Sequence, residues 1–226
     1  MNFVFDVDGT LTPSRGLIDP EFADWFKSWI KNHDVYLCTG SDYAKTLEQV
    51  GKDICESVAA VYNCAGNCVY QQGQLIRLAD FKPTDEHKNF MMQLVTESTF
   101  TYRTGLHIEE RPGLFNLSIV GRYATKDQRQ EYYKWDQINK EREDYARIIN
   151  KRFPELEATV AGEIGIDIYL KGKDKSQIAK EVEPFIFFGD SIFPGGNDYS
   201  VAQLAEKSYR VNDWRHTFSI LRGGYK

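Results

Sequence analysis

No stretch of the chain approaches about 18 uninterrupted apolar residues, which excludes a membrane-spanning helix. Basic residues are in deficit. The 28 Lys and Arg face 33 Asp and Glu, for a formal charge of −5. That balance counts against duplex nucleic acid or an anionic membrane as the main partner, but leaves room for a small anion held by local charge. Cysteine is scarce, and Cys38, Cys55, Cys64 and Cys68 all lie in the first third. They are too few, in too long a chain, for a disulfide framework. Cys64 and Cys68 would make half of a zinc site, yet no second Cys/His pair follows at ligand spacing. Buried free thiols in a reducing cytosol are expected. The opening MNFVFDVDG has neither a basic segment nor a signal-like apolar run, so a cytoplasmic location is expected. Internal repeats and low-complexity linkers are also missing.

What is present is a composition that folds. Hydrophobic residues make up 42% and aromatics 14% of 226 residues, enough for one large domain or two with modest cores. Phe3-Val4-Phe5 reads as a short buried strand. Asp19 and Pro20 suit the start of a helix whose apolar face is Phe22, Trp25, Phe26, Trp29 and Ile30. Strands are predicted at 35–38 and 58–62. Between them Ser41 is placed to cap a helix carrying Leu47 and Val50. This alternation predicts a mostly parallel, Rossmann-like sheet covered by helices. The middle of the chain reads differently. A helix at 85–96, strands around the Pro-Gly of IEERPGLFNLSIVGR, one long helix from Thr125 with Gln128 as its reciprocal cap, and strands at 158–170 make an α+β insert. From Asp174 the core pattern returns, with a strand at 185–188. The expected organisation is α/β and discontinuous, with a catalytic core of residues 1–80 and 175–226 and an inserted cap at 81–174.

The chemistry concentrates at strand ends. FDVDGTLT sets Asp6 and Asp8 directly after the first strand, with Gly9 allowing a sharp departure. Asp6 is placed to attack a phosphorus atom, making an acyl phosphate that divides one hard transfer into two. Asp8 reaches the ester oxygen as acid and base, and Thr10 adds a hydroxyl and an amide. Near the other end, FIFFGDSIFPGGND places Asp190 after a strand, with Asn197 and Asp198 beyond a glycine-rich turn. Oxygen donors beside a phosphate suit Mg²⁺ better than Zn²⁺. Asp6 and Asp190, with the main-chain carbonyl of Asp8, are the expected ligands, and Asn197 and Asp198 support them. Thr39, Gly40 and Ser41 offer hydroxyls and amides to the transferring phosphoryl group. Lys175 adds a cation against the charge of Asp6.

These four motifs (FDVDGTLT, TGS, Lys175 and GDSIFPGGND) resemble those of the haloacid-dehalogenase superfamily. Within it the chain resembles the eukaryotic-type phosphomannomutases over roughly residues 3–200, through FDVDGTLTPSR with Arg15, SDYAKTLEQVG, IEERPGLFNLSIVGR, RQEYYKWD and GIDIYLKGKDK. The resemblance implies a cap that closes over a hexose phosphate, with Arg15, Arg111, Asn116, Arg122, Arg129 and Asp167 binding substrate. It implies Mg²⁺, a hexose 1,6-bisphosphate intermediate and activator, and a dimer formed through caps, where Phe90, Phe100 and Tyr102 suit either the interface or the core of the cap. It also exposes departures. Gly165 stands where the family has a serine, Thr39 where the mutases have a small residue, and NCAGN replaces a glycine-centred segment. The expected function is a hexose-phosphate mutase with mannose phosphate favoured. The alternative is a Mg²⁺-dependent sugar-phosphate phosphatase using the same aspartyl phosphate.

Overall fold

The computed structural model describes residues 1–225. Its elements run β1 (Asn2–Phe5), α1 (Pro20–Ile30), β2 (Asp34–Cys38), α2 (Tyr43–Val50), α3 (Lys52–Ser57), β3 (Ala60–Asn63), β4 (Cys68–Gln71) and β5 (Gln74–Leu78). The insert follows with α4 (Asp85–Glu97), β6 (Ile108–Arg111), β7 (Leu114–Ser118), α5 (Lys126–Asn139), α6 (Glu141–Arg152), β8 (Leu156–Ala161) and β9 (Gly165–Leu170). A short 3₁₀ turn at Lys175–Ile178 leads to α7 (Ala179–Val182), β10 (Phe185–Gly189), α8 (Tyr199–Leu204), β11 (Lys207–Arg210) and α9 (Trp214–Gly224).

Two sheets result. The first has seven strands in the order β11-β10-β1-β2-β3-β4-β5, parallel from β11 to β3 and antiparallel beyond. The second has four antiparallel strands, β6-β7-β9-β8. This is the Rossmann-like core with an inserted α+β cap that the segment order predicts. Strand β1 reads VF on two buried faces because it lies between β10 and β2 and carries helices on both sides. Chain order reverses on either side of β1. Open parallel sheets bind ligands at such a reversal, beyond the carboxyl ends of the strands.

Each sheet has its own apolar core. In the first, Phe5 stacks on Phe188 and meets Phe26 and Trp29 of α1. In the second, Phe115, Ile166 and Ile168 pack under Met91 and Leu94 of α4 and Ile149 of α6. Phe100 is buried there against Tyr132 and Trp135, while Phe90 and Tyr102 pack against the same cluster. Phe100 therefore serves the interior of the cap, while Phe90 and Tyr102 are only partly buried.

Caps follow the sequence at α1, where Asp19 accepts from Glu21 and Phe22, and at α5, where Thr125 and Gln128 form the reciprocal pair. Two local features differ from expectation. Helix α2 is capped by Asp42, which accepts from Lys45 N at 2.8 Å, so Ser41 is free for another contact. The long polar helix is two helices, broken at Lys140, whose φ is +57°. The break is held by a buried ion pair. Arg142 gives its amide and Nε to the two oxygens of Asp136 and its Nη1 to Gly162 O, so α6 starts in a new direction. That arginine also holds the β8–β9 turn beside the candidate site.

Candidate active site

Asp6, Thr39 and Asp190 leave the carboxyl ends of the adjacent strands β1, β2 and β10, so parallel register alone brings them to one edge. Asp6 is buried. Its Oδ1 accepts from Lys175 Nζ at 2.6 Å, and its Oδ2 from Thr10 Oγ1 at 3.3 Å. The same ammonium donates to Asp198 Oδ1 at 2.7 Å, and Asp198 Oδ2 accepts from Ser191 N at 3.1 Å. Asp198 starts α8 without capping it, because both of its oxygens are used in this network. Asp190 faces the group across Gly9. A side chain there would meet Asp190 Oδ2 at 2.7 Å, and φ is +81°, so both space and backbone require glycine.

Carboxylate oxygens of Asp6, Asp190 and Asp198 lie within 4.8 Å of one another, with one ammonium among them. The negative excess is visible in the proton affinities. Burial, reinforced by Asp198 and Asp190, raises the Asp6 carboxyl well above its ordinary range against the pull of Lys175. Burial would lower Lys175, but Asp198 and Asp6 outweigh it and hold the ammonium firmly charged. Asp190 is pushed to about 7, mainly by burial and then by Asp198. Hard oxygen donors converging with surplus negative charge fit Mg²⁺.

A pH test follows from Asp190. In chelator the folded form holds this proton up to about 7 and the unfolded form only to about 3.8, so folding takes up a proton between those values. Its contribution to stability therefore falls as pH rises from about 4 to about 7 and is level above that. Mg²⁺ competes with the same proton, so its apparent affinity should weaken about tenfold per pH unit below 7. Urea midpoints with and without Mg²⁺ read both effects. Asp190→Asn should flatten the chelator slope, and an unchanged slope would reject the assignment.

Asp8 follows two residues after Asp6, with its carboxylate fixed by three donors. Oδ1 accepts from Arg15 N at 2.5 Å and Gln49 Nε2 at 2.9 Å, and Oδ2 from Ser41 Oγ at 3.2 Å. Thr39 Oγ1 accepts from Ser41 N, which shapes the TGS turn. The backbone of that turn rests on the replaced NCAGN segment: Ala65 N donates to Thr39 O and Cys64 N to Ser41 O. Cys64 and Ala65 reach those carbonyls with φ of +51° and +58°, a left-handed conformation costly for side chains with a Cβ.

The cap supplies the opposite wall. Arg111, Arg122 and Arg129 converge with Arg15 of the core on one cavity of about 690 Å³. Glu109 sits among them, accepting from Arg111 at 2.5 Å and Arg122 at 2.8 Å. Asp167 also faces Arg111 and Glu163 faces Arg129, so three carboxylates act on four guanidinium groups. Burial, with crowding by Arg111, Arg15 and Arg129 against the pull of Glu109, lowers Arg122 to about 10. Arg129 turns to Ala124 O and Arg122 O at 3.3 and 3.5 Å, with no ion pair to Glu131. A guanidinium cluster with a residual positive excess is suited to a phosphate.

Asn116 Nδ2 donates to Asp167 Oδ1 at 2.7 Å. Asp167 Oδ2 lies against Gly40, where a Cβ would meet it at 2.7 Å, and Arg111 Nη1 donates to Gly40 O at 2.8 Å. Cap and core are thus in contact at the TGS turn. Of the residues expected at the site, Asp6, Asp8, Arg15, Thr39, Gly40 and Ser41 line the cavity from the core, as do Asp190 and Asn197. Arg111, Asn116, Arg122, Arg129 and Asp167 line it from the cap, and Thr10, Lys175 and Asp198 lie behind Asp6.

Gly165 has a packing reason. A Cβ there would stand 2.5 Å from Asn116 Nδ2 and 3.2 Å from Ala161 O. Gly165→Ser should therefore cost about 1–3 kcal/mol, the usual range for overpacking, and loosen the Asn116–Asp167 bond. A denaturation midpoint equal to that of the parent would contradict this.

Two residues were not legible from motifs. Gln49 is a buried polar residue on the core-facing side of α2, and that misplaced polarity was the available signal. Glu109 is an acid inside the arginine-bearing strand β6, a signal that gains meaning only when Arg122 is seen beside it.

Comparison with known proteins agrees with this geometry. A family model described as "Eukaryotic phosphomannomutase" matches residues 22–223. A phosphomannomutase of Dendrobium officinale is 32% identical over 209 residues, covering 88% of this chain and 83% of the relative. One of Galdieria sulphuraria is 31% identical over 213 residues, covering 89% and 85%. Among solved structures, an IMP-bound mutant of Plasmodium falciparum IMP-nucleotidase superposes with a TM-score of 0.68 at 14% identity, covering 98% of this chain and 67% of that one. The C-terminal domain of a C. albicans trehalose-6-phosphate phosphatase gives 0.62 at 17%, covering 90% and 73%. These two likenesses concern the fold.

Proposed function

The chain belongs to the eukaryotic phosphomannomutase family of the haloacid-dehalogenase superfamily, and from that membership we propose that it interconverts hexose 6-phosphate and hexose 1-phosphate, mannose phosphate first, through an aspartyl phosphate on Asp6 and a hexose 1,6-bisphosphate. The observation that carries this reading is one cavity with Asp6 and Asp8 on its core wall and Arg111, Arg122 and Arg129 on its cap wall. A phosphatase needs one phosphate site. A mutase needs a second that accepts the distal phosphate in either orientation of the sugar, and a cluster of guanidinium forks suits that task.

In the proposed cycle the bisphosphate charges Asp6. A hydroxyl of the monophosphate loses its proton to Asp8 and attacks the phosphorus of the aspartyl phosphate, which frees the carboxylate. The bisphosphate so formed turns end for end. Asp6 then attacks the other phosphoryl group while Asp8 returns the proton to the departing sugar oxygen. Arg15 N, Gln49 and Ser41 hold Asp8 in place for both transfers. Lys175 occupies Asp6 Oδ1, and Thr39, Gly40 and Ser41 face the transferring group. Mg²⁺, held by Asp6, Asp190 and the Asp8 carbonyl with Asn197 and Asp198 behind, would offset the repulsion between carboxylate and phosphate. The same proposal assigns 1–80 and 175–226 to the core, 81–174 to the cap, a cytoplasmic location and a cap-mediated homodimer. All four cysteines are buried and free, as a reducing compartment would leave them. Among the described residues no helix is long and apolar enough to cross a membrane.

Hydrolysis is the second reading, favoured by Gly165, which has no hydroxyl to offer the distal phosphate. Incubation with Mg²⁺ and mannose 1-phosphate, with and without hexose 1,6-bisphosphate, separates the two. Mannose 6-phosphate without comparable inorganic phosphate is the expected outcome, and phosphate release without isomerised sugar rejects the mutase. Arg122→Ala should lower kcat/KM for hexose phosphate about 10- to 100-fold, while p-nitrophenyl phosphate hydrolysis changes by less than about threefold. Equal losses on both substrates would remove Arg122 from the distal phosphate site.

A further inference from the structure

The chain passes between core and cap twice, at 79–84 between β5 and α4 and at 171–174 between β9 and the 3₁₀ turn. One buried residue touches both passages, the first through its backbone and the second through its side chain. Asn67 lies just before β4, and its carbonyl accepts from Ala79 N at 2.7 Å in the first passage. Its Nδ2 donates to Lys173 O at 2.9 Å in the second and to Cys64 O at 2.8 Å. Its Oδ1 accepts from Gln177 Nε2 at 3.4 Å, and the same amide nitrogen of Gln177 donates to Ala65 O at 3.0 Å. The cap adds a third contact. Gly113 turns the β6–β7 hairpin that carries Arg111 and Asn116, and a Cβ on it would stand 2.4 Å from Asn67 Cβ and 2.8 Å from Ala79 Cβ.

Asn67 comes directly after the three consecutive left-handed residues Cys64, Ala65 and Gly66. Those residues place the amides that hold the TGS turn and, one step later, the amide group that holds the passages. Phosphate turn, both crossings and the arginine-bearing hairpin therefore share one short segment.

We propose that Asn67 is a positioning residue that ties the two core–cap crossings together and so sets the closed orientation in which the cap arginines face Asp6. The inference rests on the mutase reading for its catalytic consequence, but the geometric claim stands apart from it. A cap that must close before the sugar phosphate is gripped binds with an affinity reduced by the fraction of time it spends open. Small phosphoesters that do not reach the cap are spared that dependence.

The test uses the full chain with nitroxide labels on Ser57→Cys of α3 and Lys134→Cys of α5, both exposed positions. The native thiols are buried, and burial raises Cys38 and Cys55 to about 12, so the introduced thiols label selectively. Asn67→Leu keeps the backbone bonds and removes both side-chain donations. It should broaden the core–cap distance distribution about twofold and raise KM for hexose phosphate about tenfold, with p-nitrophenyl phosphate hydrolysis within about twofold. Asn67→Ser retains one donor, should lie between the two, and serves if the leucine variant does not fold. An unchanged distance width in the folded variants overturns the proposal, as does an equal loss on both substrates. If the parent turns over no hexose phosphate, the mutase reading fails while the label distances still decide the role of Asn67.

Discussion

Asp6→Asn is expected to abolish turnover, by about 10⁴-fold or more, and to leave the fold at least as stable as the parent in chelator. The two outcomes have one cause. Asp6 lines the cavity directly after β1, whereas Asp190 follows β10 and Asp198 lies behind, so neither neighbour is placed to take over its proposed role as nucleophile. Yet the cluster holds three carboxylates for one ammonium, and burial pushes the Asp6 carboxyl well above its ordinary range. A group held in that direction favours the fold when protonated and loses that contribution as it ionises, so its charge opposes folding. The asparagine removes the charge, keeps the shape, and leaves Lys175 paired with Asp198 at 2.7 Å. Turnover assays and urea midpoints in EDTA check the two halves. Residual activity within about tenfold of the parent would dismiss the assigned nucleophile. A lower midpoint would dismiss the account of the charge.

Lys175→Met should act in the opposite sense on stability. Its ammonium is fully buried and bonds Asp6 and Asp198, so an apolar replacement leaves two interior carboxylates without a cation. Breaking a buried pair from one side costs about 3–5 kcal/mol, a large share of a domain's total stability. The urea midpoint should fall accordingly, with turnover lost as well. Lys175→Arg should not restore the parent, because a planar fork does not fit a pocket closed around a single ammonium. Asp198→Asn combined with Lys175→Met should recover part of the loss, since it removes one of the stranded charges. Strict additivity of the two changes would show that the residues do not interact.

Much of this site was legible in the chain. Asp6, Asp190 and Thr39 follow short apolar runs, and a parallel sheet must bring the carboxyl ends of adjacent strands to one edge. The Rossmann-like core followed for the same reason, since buried parallel strands and amphipathic helices have different periods. Local contests were harder to read. Ser41 and Asp42 are both good helix caps, and which one caps depended on Asp8 lying 3.2 Å from Ser41 Oγ. The helix from Thr125 has no proline or glycine to end it at 139, and its break depends on Asp136 and Arg142 burying their charges together. Phe100 had the character of either an interface or a core residue, and packing against Tyr132 and Trp135 placed it inside.

The chain by itself determined its class and the placing of Asp6, Thr39 and Asp190 at one sheet edge, because each is marked by residue type directly after an apolar run, while the arginines of the insert were found by resemblance to the family. Only the tertiary structure decided how distant segments share charge and space. Lys175 serves Asp6 from 169 positions away, Gln49 holds Asp8 across 41, and Asn67 reaches Lys173 across 106. Pairings over such separations carry no local periodicity. They are selected by burial, where an unpaired donor or charge is costly and any partner the fold brings within about 3 Å relieves that cost.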